Sequence, residues 1–235
     1  MSRAEPEAAA ALPRLRRAIR RAAADFYYNA WPFLAANIAF GLVLLAAFYG
    51  SVLIGPWLLL LLGVAVVPAA GTMRMATRLH RTGHTDLGDF AEILHGRGRI
   101  LLLGVAQLAI SVVLAVDVAV ALAWGSWIGT ILLVGAAYGI VVLWAVAVVA
   151  WPILLDPARD TVPIRARLRL AFLVLLLEPR RVAGLAIVAG IVLLASTVLI
   201  APILTFSMAF VWLMLAGYAL PLADAVQARL EPTEP

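Results

Sequence analysis

Cysteine is absent from this chain, which excludes disulfides and thiolate metal sites and leaves no redox clue to its compartment. Lysine is absent too, so all 18 cationic side chains are arginine, a bias to which no mechanism need be attached. Charge of either sign is scarce: Asp, Glu, Lys and Arg make up 13% of the residues, against about a quarter in soluble domains. With 65% hydrophobic residues and a mean hydropathy of +1.04, a soluble globular domain is excluded. The alternating segments of about ten residues that build a membrane β-barrel are missing as well. Runs such as GLVLLAAFYGSVLIG and AYGIVVLWAVAVVAWPILL are apolar on every side. The fold class expected is therefore all-α, a polytopic membrane helix bundle.

Several signatures of chemistry are also lacking. The chain has no G-x-S-x-G elbow, no glycine-rich phosphate loop ending in G-K-[ST], no cysteine nucleophile and no close pair of carboxylates within its apolar runs. No enzymatic activity and no cofactor are expected. The first 29 residues carry arginine throughout, with no uninterrupted apolar stretch or small-residue cleavage site, so this segment is expected to stay in the mature protein.

What is present is length of apolar chain. A bilayer core of ~30 Å takes about 20 residues per helix, and six spans fit, at about residues 31–53, 55–73, 100–124, 127–155, 182–201 and 203–222. Tight turns at Gly55-Pro56, Gly125-Ser126 and Pro202 pair them into three hairpins. Six arginines precede the first span, five lie between the second and third, six between the fourth and fifth, and Arg229 follows the sixth, while the hairpin turns hold none. The positive-inside rule then places both termini in the cytoplasm. The chain divides into a basic amphipathic helix (1–30), a six-span membrane domain (31–222) and a cytoplasmic tail (223–235). Trp31, Tyr49, Trp57, Trp124, Trp127 and Trp151 lie near span ends, as aromatic belt residues do.

Each hairpin follows an amphipathic element. Leu12, Leu15, Ile19, Ala22 and Phe26 recur at three- and four-residue steps, which reads as a basic helix on the inner leaflet. The second span continues past Pro68 and carries Arg74, Arg78 and Arg81 on one face at i, i+4 and i+7, toward lipid phosphate. After Gly83 a short helix is expected, capped by Thr85 or Asp86 and ended by Gly96, with Leu87, Phe90, Ala91 and Leu94 on its apolar side. A third helix starts at Asp160-Thr161-Val162-Pro163 and stops at Glu178-Pro179. Arg165, Arg169 and Phe172 on it join Phe90 as candidate docking or lipid contacts. The acids Asp86, Asp89, Glu92, Asp156 and Asp160 read as caps or arginine partners. Anionic lipid headgroups are the expected partners of the remaining arginines. Nucleic acid is not expected, since the basic strips lack interleaved aromatic platforms.

Four polar residues within spans, Asn37, Gln107, Ser111 and Asp117, form a candidate intramembrane path, with Ser196 and Thr197 nearby in sequence logic. An acid inside a span is costly and so invites a functional reading, whereas hydrogen bonding between helices is the ordinary work of the others. His80 and His84, at i and i+4 with Asp86 beyond, would be a metal set only if Gly83 did not separate them, so no metal is assigned. Small residues such as Gly125, Gly129, Gly135 and Gly139 suit close helix packing, within one chain or in a homo-oligomer.

The order of these features resembles the YesL family, bacterial membrane proteins grouped as a domain of unknown function. The matching residues are Asn37 in FYYNAWPFLAANIAF, Pro68-Ala69-Ala70-Gly71 before a basic helix from Met73 to Arg81, Asp89-Phe90 in TDLGDFAEIL, and PIRARLRLAFLVLLLEPRRVAGLAIV. They cover about residues 25–222, although HRTGHTD replaces a string that is commonly more uniformly acidic or basic in the family. The resemblance implies a bacterial inner-membrane protein without known enzymatic activity, linked to carbohydrate ABC-transport systems and their permease subunits. The alternative drawn from the residues is a small-solute transporter using the intramembrane polar path.

Overall fold

The computed structural model describes residues 14–95, 97–198 and 206–230, and these contain helices and turns with no strand. In chain order the helices are α1 (Leu15–Tyr28), α2 (Ala30–Leu53), α3 (Leu61–Thr82), α4 (Leu87–Ala91), α5 (Gly98–Trp124), α6 (Trp127–Leu154), α7 (Ile164–Leu177), α8 (Pro179–Val198) and α9 (Met208–Leu230). Six of them, α2, α3, α5, α6, α8 and α9, are long and apolar enough to cross a bilayer. The chain is thus a multi-pass integral membrane protein with the expected order of amphipathic helix followed by hairpin, three times.

Local chemistry explains the helix ends. Gly83 sits at φ 75° and donates its N–H to the Leu79 carbonyl, a left-handed stop that a residue with a Cβ would resist. Three residues on, Asp86 accepts the Asp89 N–H at 3.1 Å while Asp89 accepts the Asp86 N–H at 3.2 Å, a reciprocal capping box that starts α4. Gly125, at φ 57°, closes α5, and the Ser126 hydroxyl oxygen accepts the Gly129 N–H to open α6.

Helix α9 lies at the centre, packed against α1, α2, α3, α6, α7 and α8. Trp212, Met214, Leu215, Leu220 and Leu222 on it are buried in one continuous core. Helix α5 is its opposite, resting chiefly on α6 and burying only Ile100, Gly104 and Ala121.

Three expectations are corrected. The apolar stripe of α1 is covered by α9 instead of lipid: Ala18 and Ala22 are buried and the Phe26 ring meets Phe206 edge-on at 6.4 Å. An amphipathic stripe records that something apolar covers it and is silent on what does. The continuation of the second span past Pro68 agrees with expectation, α3 running unbroken to Thr82. Residues 223–230 are the end of α9 and not tail, since Ala223 and Val226 continue its buried face. Trp151 is no belt residue, its indole being turned inward, whereas Trp31, Tyr49, Trp57, Trp124 and Trp127 are exposed as expected. Residues 1–13 with Leu12, the stop at Gly96, the turn at Pro202 and the Thr197 side chain lie outside the described residues.

Candidate functional site

Two polar regions are built into the bundle, one at its arginine-rich end and one within the apolar spans. At the arginine-rich end, α3 carries Arg74, Thr77, Arg78 and Arg81 toward the segments before α5 and α7. A guanidinium has five N–H donors, and Arg74 places all five. Its Nε and Nη2 donate to Glu92 at 3.0 and 3.1 Å, its Nη1 and Nη2 to Asp160 at 3.1 and 2.6 Å, and Nη1 also to the Leu155 carbonyl at 3.0 Å. The side chain is 1% exposed, so the expected contact of Arg74 with lipid phosphate is overturned. A buried charge must be paired and hydrogen-bonded to persist, and the acids that satisfy it come from segments 18 and 86 residues away. Arg97 closes the node by gripping Asp160 with two bonds, at 2.7 and 2.6 Å.

A second node repeats the arrangement with different residues. Arg81 donates to Asp156 at 3.1 and 2.6 Å and to Asp224 at 2.7 and 3.0 Å. Arg159 also reaches both acids, and its Nη2 donates to the Gln227 side-chain oxygen at 3.3 Å. Asp156 is fully buried and caps its own turn by accepting the Ala158 N–H. Arg167 completes the frame by donating to three backbone carbonyls, those of Val162, Leu154 and Asp160, at 2.7–2.8 Å. The connection between α6 and α7 is thereby tied to α3, α5 and α9.

The charges act on one another. Burial alone would push the Asp160 and Glu92 carboxyls up, but the hydrogen bonds and charges of Arg74 and Arg97 outweigh it and hold both below their ordinary range. Each acid stays ionised and occupied. The readings of Asp86, Asp89, Glu92, Asp156 and Asp160 as caps or arginine partners agree with these contacts. Asp224 escaped because it fell in the segment read as tail, though its step of two residues from Leu222 and three from Gln227 continues a helical pattern with Ala223 and Val226 inward.

The remaining sequence candidates at this end separate cleanly. Arg78 pairs with Asp89 at 3.1 Å and is partly exposed. Phe90 folds onto α3, where a Cβ on Gly71 would meet its ring at 2.5 Å, so it is spent on packing and is no free anchor. Arg165, Arg169 and Phe172, at i, i+4 and i+7 of α7, are all exposed, as is Leu176. His80 and His84 lie either side of the α3 stop, and among the described residues no three His, Cys, Asp or Glu side chains are grouped to hold a metal.

Within the spans, a cavity of about 250 Å³ opens between α2, α3, α5, α6 and α9, walled by Phe40, Val66, Gly104, Gln107, Trp151 and Trp212 among others. Three of its polar side chains donate to a neighbouring side chain or to backbone: Trp151 Nε1 donates to Gln107 Oε1 at 2.9 Å, the Ser111 hydroxyl to the Gln107 carbonyl at 3.0 Å, and Trp212 Nε1 to the Ala69 carbonyl at 2.7 Å. Of the four path candidates, the structure brings Gln107 and Ser111 together at this cavity. Asn37 does not line it; its Oδ1 accepts the Ala209 N–H at 2.9 Å, satisfying a first-turn donor of α9 from another helix, while its Nδ2 is buried without a partner. Asp117 does not line it either and makes no ion pair among the described residues. No family model matches the chain, and no curated protein and no solved structure matches it.

Proposed function

We propose that this integral membrane protein is non-enzymatic and serves as an accessory or regulatory component beside a carbohydrate ABC-transport system of the bacterial inner membrane, with its arginine-rich end and both termini in the cytoplasm. One observation carries the reading. The arginine-rich end is a cross-tied platform whose acids, Glu92, Asp156, Asp160 and Asp224, are all consumed by arginines, while α7 holds Arg169, Phe172 and Leu176 outward on that platform. Carboxylates gripped in this way are poorly placed to move protons or attack a substrate, whereas an exposed aromatic beside an arginine on a rigid helix is the usual composition of a protein-binding anchor. The resemblance to YesL proteins and the positive-inside rule supply the partner class and the orientation.

The test is co-purification. Tagged protein taken from its native membrane in mild detergent should carry permease or binding-protein subunits in near-stoichiometric amount, and Arg169→Glu combined with Phe172→Ala should shed them. Recovery of the protein alone, or undiminished recovery with that variant, would overturn the reading. The cavity beside Gln107 and Ser111 favours a second reading, transport of a small solute, because a pocket of about 250 Å³ is below the ~300 Å³ at which drug-sized sites begin. That reading requires uptake to fall in Gln107→Leu and Ser111→Ala, the two polar residues that line the cavity, and unchanged uptake in both would dismiss it.

A further inference from the structure

A groove runs between the start of α5 and the start of α7. Its polar part, about 620 Å³, is lined by Arg97, Arg99, Asp160 and Arg167, and its apolar part, about 590 Å³, by Arg99, Leu102, Leu103, Ala106 and Arg165. Arg99 and Ile164 belong to both, so the two parts are continuous. Four guanidinium groups thus face one carboxylate, and the oxygens of that carboxylate are already held by Arg97 and, from behind, by Arg74. Arg167 is satisfied by carbonyls, which accept its protons without cancelling its charge. Burial pulls it below the ordinary guanidinium value, and the Arg97 and Arg74 charges add to this against the opposing charge of Asp160. Arg99 and Arg165 are exposed and make no ion pair among the described residues.

The apolar part lies along a membrane-spanning helix. At ~1.5 Å per residue, Ala106 is about 10 Å further along α5 than Arg99, and Leu102 and Leu103 between them are exposed. A ligand filling the groove must be anionic at one end and apolar over the next several ångströms, which is the profile of a phospholipid with an anionic headgroup. We propose that this groove is a specific site for one anionic phospholipid, its phosphate between Arg99 and Arg165 and an acyl chain along Leu102, Leu103 and Ala106. The site is independent of any docking through Arg169 and Phe172.

Native mass spectrometry of the full chain, released from micelles containing equal phosphatidylglycerol and phosphatidylcholine, tests it. One phosphatidylglycerol per chain should survive release, with little phosphatidylcholine. Juxtamembrane arginines are worth about fivefold each in affinity for anionic lipid, so Arg99→Gln with Arg165→Gln should weaken retention about 25-fold, and Arg99→Lys with Arg165→Lys should keep most of it. Both positions are exposed, so a monodisperse chromatographic profile checks that the variants fold. Arg16→Gln with Arg17→Gln on exposed positions of α1 should change retention less than twofold. Equal retention of phosphatidylcholine, no loss in the glutamine pair, or an equal loss in the α1 pair would overturn the proposal, the last showing only diffuse attraction to a charged leaflet.

Discussion

The arginine-rich end of α3 and the outer hairpin of α5 and α6 solve opposite problems. At the first, Arg74 and Asp156 are buried and every charge has named partners; in the second, the apolar stretch of α5 is 6% buried inside the protein, against 67% for α9. Lipid tails are as apolar as leucine, so an exposed α5 costs nothing in a bilayer and gains little by packing. Specificity must come from elsewhere. Here it comes from bidentate arginine pairs that fix where the connection between α6 and α7 sits relative to α3, α5 and α9. Buried ion pairs add little net stability over apolar packing, but removing one partner is severe because the other charge is stranded.

That contrast can be broken most forcefully at Arg74. Arg74→Met removes five hydrogen bonds at once, leaving Asp160 to Arg97 and Glu92 to its longer contacts with Arg78 and Arg97, and should cost about 3–4 kcal/mol, seen as a large drop in the unfolding temperature in detergent. Asp156→Asn should cost about 2–3 kcal/mol, less because Asp224 still holds both Arg81 and Arg159. A double-mutant cycle between Arg81 and Asp224 would show coupling if the node is intact.

Packing gives the next test. A Cβ at Gly104 would sit 2.5 Å from Val66 and 2.7 Å from Trp151, so Gly104→Ala should destabilise by about 1–3 kcal/mol, whereas Gly135, with nothing within 4 Å, should tolerate alanine within about 0.5 kcal/mol. On the lipid-facing side, Val113→Ala should be as quiet.

Acid titration sharpens the comparison further. The Glu92 and Asp160 pKa values are lowered on folding from 4.5 and 3.8, so their contribution is full above those values and lost as pH falls below them. The difference in unfolding temperature between the unaltered chain and Arg74→Met should therefore be constant above about pH 5 and narrow below about 4. A difference independent of pH down to about 3 would argue against the network.

Much of this architecture is legible in the sequence because its determinants are local. The spans are runs of apolar residues, Gly83 and Asp86 mark a stop and a start, and Glu178-Pro179 ends α7 where its chemistry says it should. The candidate site was half legible. The spacing of Arg74, Arg78 and Arg81 gives one basic face, but a basic face looks the same whether it meets phosphate or carboxylate. The acids that decide the matter for Arg81 are 75 and 143 residues away. Trp151 and Asn37 show the same limit, since a tryptophan near a span end and an asparagine within one are defined by what stands opposite, here Gln107 and the first turn of α9.

The proposal that the ion-paired end presents a docking surface, and the outer hairpin does not, is tested most directly by site-specific photocrosslinking in native membranes. A photoreactive phenylalanine analogue at position 172 should yield a discrete protein adduct containing a transport-system subunit, while the same analogue at position 113 of α5 should yield lipid adducts only. Lipid adducts alone at position 172 would contradict the account.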